Sequence, residues 1–259
     1  MDGLKEYLIN NRHFHEYSLT KENVQHIWIA SILFWIGVSV IAVKACGENR
    51  RRLAWSISLV NSSTMMVVGI VYSFVKFNEY PKFFEFDPAS RSLIHSVDNV
   101  TVAVCIWFSL ANIFDIVVGV LFYPKHLDPL TAYVHHTVAL WITYASTTGD
   151  GLFTPVEPFA SLFLVLMLVE IPTFLLALGA VFPALRTDIG FGVTFFLFRL
   201  VYLIVMVYYA HLYTAGTSVM VLGYGFLLLH TFWFYNWITK YGKNLFSSKA
   251  GRKEGKKVE

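Results

Sequence analysis

Charge is what this sequence has least of. Only 14% of its 259 residues are Asp, Glu, Lys or Arg, against about 25% in a soluble domain. Such a chain does not present water with most of its surface. Cysteine is scarce as well, with Cys46 beside a basic loop and Cys105 inside an apolar run. That excludes a disulfide framework and a cysteine-rich zinc site. No folded basic face is present, so nucleic acid is not an expected partner. No short apolar core opens the chain, and residues through Lys21 are polar and mixed. The expectation is a retained N-terminus, with the first spanning helix as insertion signal.

What is present is apolar and aromatic: 56% hydrophobic residues, with 23 Phe, 14 Tyr and 7 Trp. About 20 apolar residues cross a bilayer as a helix. Seven segments qualify: Val24–Val43, Leu53–Phe77, Val100–Tyr123, Leu130–Thr148, Pro158–Phe182, Phe191–Thr214 and Ser218–Thr239. The predicted fold is all-α, a polytopic membrane protein. Residues 1–23 form an N-terminal segment, 24–240 the seven-helix region and 241–259 a basic tail. The sixth and seventh spans are joined by little more than Ala215, Gly216 and Thr217, which predicts a tight hairpin.

Lys and Arg set the orientation. One side carries Lys44, Arg50, Arg51 and Arg52, then Lys125, Arg186 and a tail with seven more. The other side carries Lys5, Arg12, Lys21, Lys82 and Arg91. The basic side is expected in the cytosol, with the N-terminus lumenal. The chain ends Lys256-Lys257-Val258-Glu259. On a cytosolic tail, that pair looks like the dilysine signal that returns membrane proteins to the endoplasmic reticulum through the COPI coat. The sequon Asn99-Val100-Thr101 abuts the membrane and is expected to stay unglycosylated.

Polar residues inside spans are costly and normally face a cavity or a partner. Counted at 1.5 Å per residue from the cytosolic ends, Asn61, Asp115 and Arg199 lie about 12 Å deep, and His230 about 14 Å. His135 and His136 lie roughly 8–9 Å deep and Glu170 about 18 Å. The opposite half has little beyond His211. Together these positions predict a polar cavity open to the cytosol. Singly, each has a structural reading: Asp115 and Arg199 as a buried ion pair, Asn112 satisfying Asp115 from one turn away, Glu170 protonated. Adjacent helical residues diverge by about 100°, so one of His135 and His136 is expected to face the cavity while the other supports it. That spacing is wrong for a metal pair, which uses i and i+4, and no metal is expected. One histidine as nucleophile or general base, held by Asp115 or Glu170, fits better. Pro172 is expected to kink the fifth span.

In this order, Asp115, Pro124-Lys125-His126, Tyr133-Val134-His135-His136-Thr137, Glu170-Ile171-Pro172-Thr173-Phe174 and Phe195-Phe196-Leu197-Phe198-Arg199 resemble the TLC domain. This membrane module is shared by translocation-associated membrane proteins, ceramide synthases and smaller TLC-domain proteins. The resemblance covers about residues 51–243. It implies a lipid-handling protein of the endoplasmic reticulum, in sphingolipid or phospholipid metabolism or homeostasis. It implies catalytic roles for His135, His136, Asp115 and Glu170. A membrane lipid or long-chain acyl substrate would lie near Asn61, Asn112, Tyr133, Thr137, Arg199 and His230. No bound cofactor is implied, and acyl-CoA would be the co-substrate of an acyltransferase of ceramide-synthase type. The chain departs from ceramide synthases at Leu162-Phe163 and Leu166, where they carry His-Asp and a further Asp. It also has Asn61-Ser62-Ser63 where many relatives have a histidine. It is closer to the small TLC-domain proteins linked to phospholipid composition and fluidity. Three readings stay open: acyltransferase, non-catalytic lipid-binding regulator, and transporter.

Overall fold

The computed structural model describes residues 21–79, 95, 97–149, 158–213 and 217–254. The expected hairpin turn at 214–216, most of the N-terminal segment and the Lys256-Lys257 pair lie outside them. Every element among the described residues is helical. They are α1 Lys21–Cys46, α2 Arg50–Glu79, α3 Asn99–Phe122, α4 His135–Thr148, α5 Ala160–Leu166, α6 Ile171–Val181, α7 Asp188–Thr194, α8 Leu203–Tyr213 and α9 Thr217–Glu254. Tighter 3-10 turns follow α3 and α6 and join α5 to α6 at Met167–Glu170. Wider π-helical stretches precede α4, at Pro129–Val134, and join α7 to α8, at Phe195–Tyr202.

Local chemistry sets the boundaries. Asp98 and Thr101 form a reciprocal cap at the start of α3, each side chain accepting from the other's backbone N–H at 2.8 and 2.9 Å. They satisfy donors that an isolated helix end leaves open. Thr187 caps α7 by accepting from Gly190 N at 2.9 Å. Gly47 (φ 53°) and Gly149 (φ 77°) end α1 and α4 in the left-handed region that glycine enters without a Cβ clash. Pro172 sits in the first turn of α6. The expected kink of the fifth span therefore falls on the 3-10 turn just before it.

Five stretches are long and apolar enough to cross a membrane: Glu22–Cys46, Arg50–Lys76, Asn99–Phe122, Ala160–Val181 and Asp188–Leu212. They match the first, second, third, fifth and sixth segments read from the sequence, as expected of a multi-pass membrane protein. The other two are helical but different in kind. The fourth is a six-residue π stretch followed by the 14-residue α4. The seventh lies in α9, a 38-residue helix with a cationic second half. Outward faces are apolar, with Leu33, Ile41, Phe74, Leu121 and Leu228 all more than 60% exposed. Such a face suits hydrocarbon better than water.

The interior is packed in three clusters. Trp35, Leu53, Ile57, Leu110 and Tyr123 join α1, α2 and α3. Met65, Cys105, Phe108, Ala139 and Phe163 fill the centre. Ala145, Phe159, Leu162, Met206 and Tyr209 fill the end away from Tyr123. Hydroxyls inside helices bond back to their own backbone, as Ser39 does to Trp35 O at 2.7 Å and Thr143 to Ala139 O at 2.7 Å. This leaves them satisfied where no water is available.

Candidate functional site

Two chambers meet inside the bundle. The larger, about 580 Å³, is bordered by the α2–α3 side (Asn61, Asn112, Asp115), the start of α4 (His135, His136) and Glu170 with Arg199. Trp55, Trp233 and Trp237 add aromatic wall. The smaller, about 120 Å³, runs along α5, α8 and α9 between apolar side chains such as Leu162, Leu203, Met206 and Met220. Phe108, His135, Glu170 and Arg199 border both. They form the neck between a mixed compartment, which holds most of the polar side chains, and an apolar one.

Arg199 organises the neck from within the π stretch Phe195–Tyr202. Its Nε donates to Val169 O at 3.0 Å, Nη2 to Thr173 Oγ1 at 2.6 Å and Nη1 to His230 Nε2 at 3.1 Å. Nη2 also lies 3.6 Å from Glu170 Oε1, and the guanidinium sits 5.5 Å from the Phe195 ring centroid. The carbonyl of Val169 meets no N–H at i+3, because that position is Pro172 in the first turn of α6. Arg199 is 7% exposed and Glu170 9%. A charge pair so enclosed is tolerable only when most of its donors are partnered, and three hydrogen bonds and the contact with Glu170 engage four of the five guanidinium N–H groups.

A second group forms where α3 ends. Tyr123, 2% exposed, donates its hydroxyl to Asp115 Oδ1 at 2.7 Å. The other oxygen of Asp115 lies 3.7 Å from His136 Nε2. Tyr123 thus fixes the carboxylate that faces the imidazole. Tyr123→Phe is expected to lower stability by about 1–2 kcal/mol, the cost of leaving a buried acceptor short of a partner. Thermal unfolding of the purified protein measures this. A loss below about 0.3 kcal/mol would show that the hydroxyl does not hold Asp115.

The alternative structural reading, an ion pair between Asp115 and Arg199, is not what forms. Arg199 pairs with Glu170, and Asp115 with Tyr123 and His136. Asn112 does not satisfy Asp115 either, because its Nδ2 donates to Phe108 O at 2.8 Å. Both His135 and His136 border the larger chamber, their ring centroids 5.8 Å apart. The 100° divergence holds, but the chamber is wide enough to span it. His230 borders the apolar chamber. Tyr133 and Thr137 border neither; both are exposed, Tyr133 at 42%. They are set apart from His135 by the same helical rotation that brings His136 to Asp115. Among the described residues, no group of three or more His, Cys, Asp or Glu side chains is placed to hold a metal ion.

Several participants escaped the sequence reading. Thr173 lies one turn after Glu170, a spacing that signals a shared face. Tyr123 lies past the helix end, and nothing local announces its reach back to Asp115. The far end of the bundle is also less bare than expected. There Tyr72 Oη and Ser161 Oγ are 2.7 Å apart, and His95 Nδ1 lies 2.9 Å from Pro158 O. Between that end and the neck lies the apolar chamber. No family model, curated protein or solved structure matches this chain.

Proposed function

We propose that the chain is a lipid-handling membrane protein of TLC type whose two chambers hold one amphiphile. The polar part would occupy the larger chamber and a hydrocarbon chain the smaller. The observation that carries this is the neck, where His135, Glu170 and Arg199 border the mixed and the apolar compartment at once. In this reading α4 with its π stretch and α9 supply two further passes, making seven. The larger chamber opens to the cytosol, since Arg51, His126 and Asp128 from the basic side border it. Lys256 and Lys257 then hold the protein in the endoplasmic reticulum.

Within this reading, an acyltransferase would use His135 or His136 as nucleophile or base on an acyl-CoA, with Asp115 and Glu170 supporting them. The non-catalytic alternative, a lipid-binding regulator of membrane composition, has a specific observation in its favour. Leu162, Phe163 and Leu166 stand where ceramide synthases carry acid and histidine side chains. Here they form apolar wall. A transporter is disfavoured because the path between the two polar ends runs through that wall.

Native mass spectrometry of the purified full chain, before and after incubation with palmitoyl-CoA, tests the proposal. The expected result is co-purified lipid in the wild type. An acyl adduct that disappears in His135→Ala or His136→Ala selects the enzyme. Bound lipid that survives both substitutions without any adduct selects the regulator. Protein that carries no lipid and takes up none from mixed micelles rejects the two-chamber reading.

A further inference from the structure

The hydrogen-bonding roles around His230 fix which of its nitrogens carries the proton. Arg199 has only donors to offer, and its Nη1 lies 3.1 Å from His230 Nε2. Nε2 must therefore accept, and the ring proton of the neutral imidazole sits on Nδ1. His230 is 3% exposed, and its Nδ1 is buried with no hydrogen-bond partner. The rings around it are apolar: Phe226 at 5.9 Å and Trp233 at 5.4 Å between centroids. Native proteins seldom leave a buried donor orphaned. The His230 side chain borders the apolar chamber, beside a neck already held by an ion pair, and its Nδ1 lies buried just behind that wall.

We propose that His230 is a ligand-binding residue whose Nδ1–H donates to the carbonyl oxygen of an ester or thioester on a long-chain lipid. This deepens the two-chamber reading and rests on it. A carbonyl is the chemistry that fits. It only accepts, so it brings no donor that would need a second partner in an apolar wall. It is uncharged, so it adds no uncompensated charge beside Glu170 and Arg199. It is also joined directly to the hydrocarbon chain that the smaller chamber suits. Donation from Arg199 onto Nε2 polarises the ring and strengthens the bond that Nδ1–H makes. In an acyl-transfer reaction the same donor would stabilise charge gathering on that oxygen.

The test compares two ligands that differ in this oxygen. Full-length protein in detergent micelles is titrated with 1-palmitoylglycerol and with its ether analogue 1-O-hexadecylglycerol, and occupancy is read by native mass spectrometry. The ester is expected to bind about tenfold more tightly than the ether, the usual net weight of one hydrogen bond. His230→Phe keeps an aromatic ring and removes the donor. It is expected to bind both ligands with equal affinity. A merely structural role for His230 would weaken both ligands together and leave their ratio unchanged. Equal binding by the wild type overturns this inference and leaves the two-chamber reading standing. Binding of neither ligand overturns both. If His230→Phe does not fold, His230→Gln, which retains an amide donor, is measured instead. Its ester preference is expected to persist in part, and loss of ligand binding without change in the ratio counts against the proposal.

Discussion

Replacing Arg199 by leucine is expected to cost about 3–5 kcal/mol, the range for removing one partner of a buried ion pair. The physical reason is what the guanidinium leaves behind. Glu170 becomes an uncompensated buried carboxylate, while Val169 O, Thr173 Oγ1 and His230 Nε2 each lose their donor. Arg199→Lys is expected to recover only part of the loss, because one ammonium cannot repeat three directed contacts from a planar fork. Arg199→Met with Glu170→Gln is expected to be milder than Arg199→Leu alone, since no unpaired charge remains. Thermal unfolding of detergent-purified variants distinguishes these. An Arg199→Leu protein within about 1 kcal/mol of wild type would show that the neck is not held by this network.

Gly69→Leu is expected to have an effect of similar size by a different route. A Cβ at Gly69 would lie 2.8 Å from both Leu168 N and Met167 C, which are backbone atoms. Neither can swing aside as a side chain would. α2 therefore runs directly against the 3-10 turn Met167–Glu170, and that close approach sets the turn's position. Small residues allow such contacts between membrane helices. Overpacking usually costs about 1–3 kcal/mol, and a clash against backbone is expected at or above the top of that range. Because the turn carries Glu170 and the carbonyl of Val169, Gly69→Leu should also displace the neck, lowering retention of co-purified lipid. Gly37→Leu is the control, since nothing lies within 4 Å of a Cβ there. Equal thermal stability and lipid content in the two variants would defeat the argument.

Much of this architecture was legible in the sequence. Five apolar runs became membrane-length helices because their length and lack of charge leave no other stable state in hydrocarbon. Asp115, Glu170, Arg199 and His135 also stood out in the sequence, because ionisable groups are costly in a span, and all four line the larger chamber. What stayed hidden was rotation. Depth along a helix follows from counting, whereas facing depends on winding, and inside the apolar segments winding departs from the α-helix at Pro129–Val134, Met167–Glu170 and Phe195–Tyr202. That is why Arg199 meets Glu170 rather than Asp115. Tyr133 and Thr137, each two residues from His135, stand outside the chambers by ordinary helical rotation of about 200°. Tyr123 was invisible for another reason. Its role depends on the chain turning back after α3, and an aromatic residue at a span end reads as an ordinary interfacial anchor.

The π-wound stretch Phe195–Tyr202 has a further consequence. Phe191, Phe195 and Arg199 border the larger chamber, and Arg199, Leu203 and Val207 the smaller. These residues recur at every fourth position. In uniform α winding a four-residue row drifts about 40° per step, or about 160° over the four steps from Phe191 to Val207. Such a row would begin facing the interior and end facing lipid. Turns that take in more than 3.6 residues counter this drift, so a single line of side chains can serve both compartments. Removing one residue between Phe195 and Tyr202 would rotate everything after it by about 100°, with almost no change in the hydropathy profile. The apolar chamber thus depends on the number of residues in this stretch as much as on their identity.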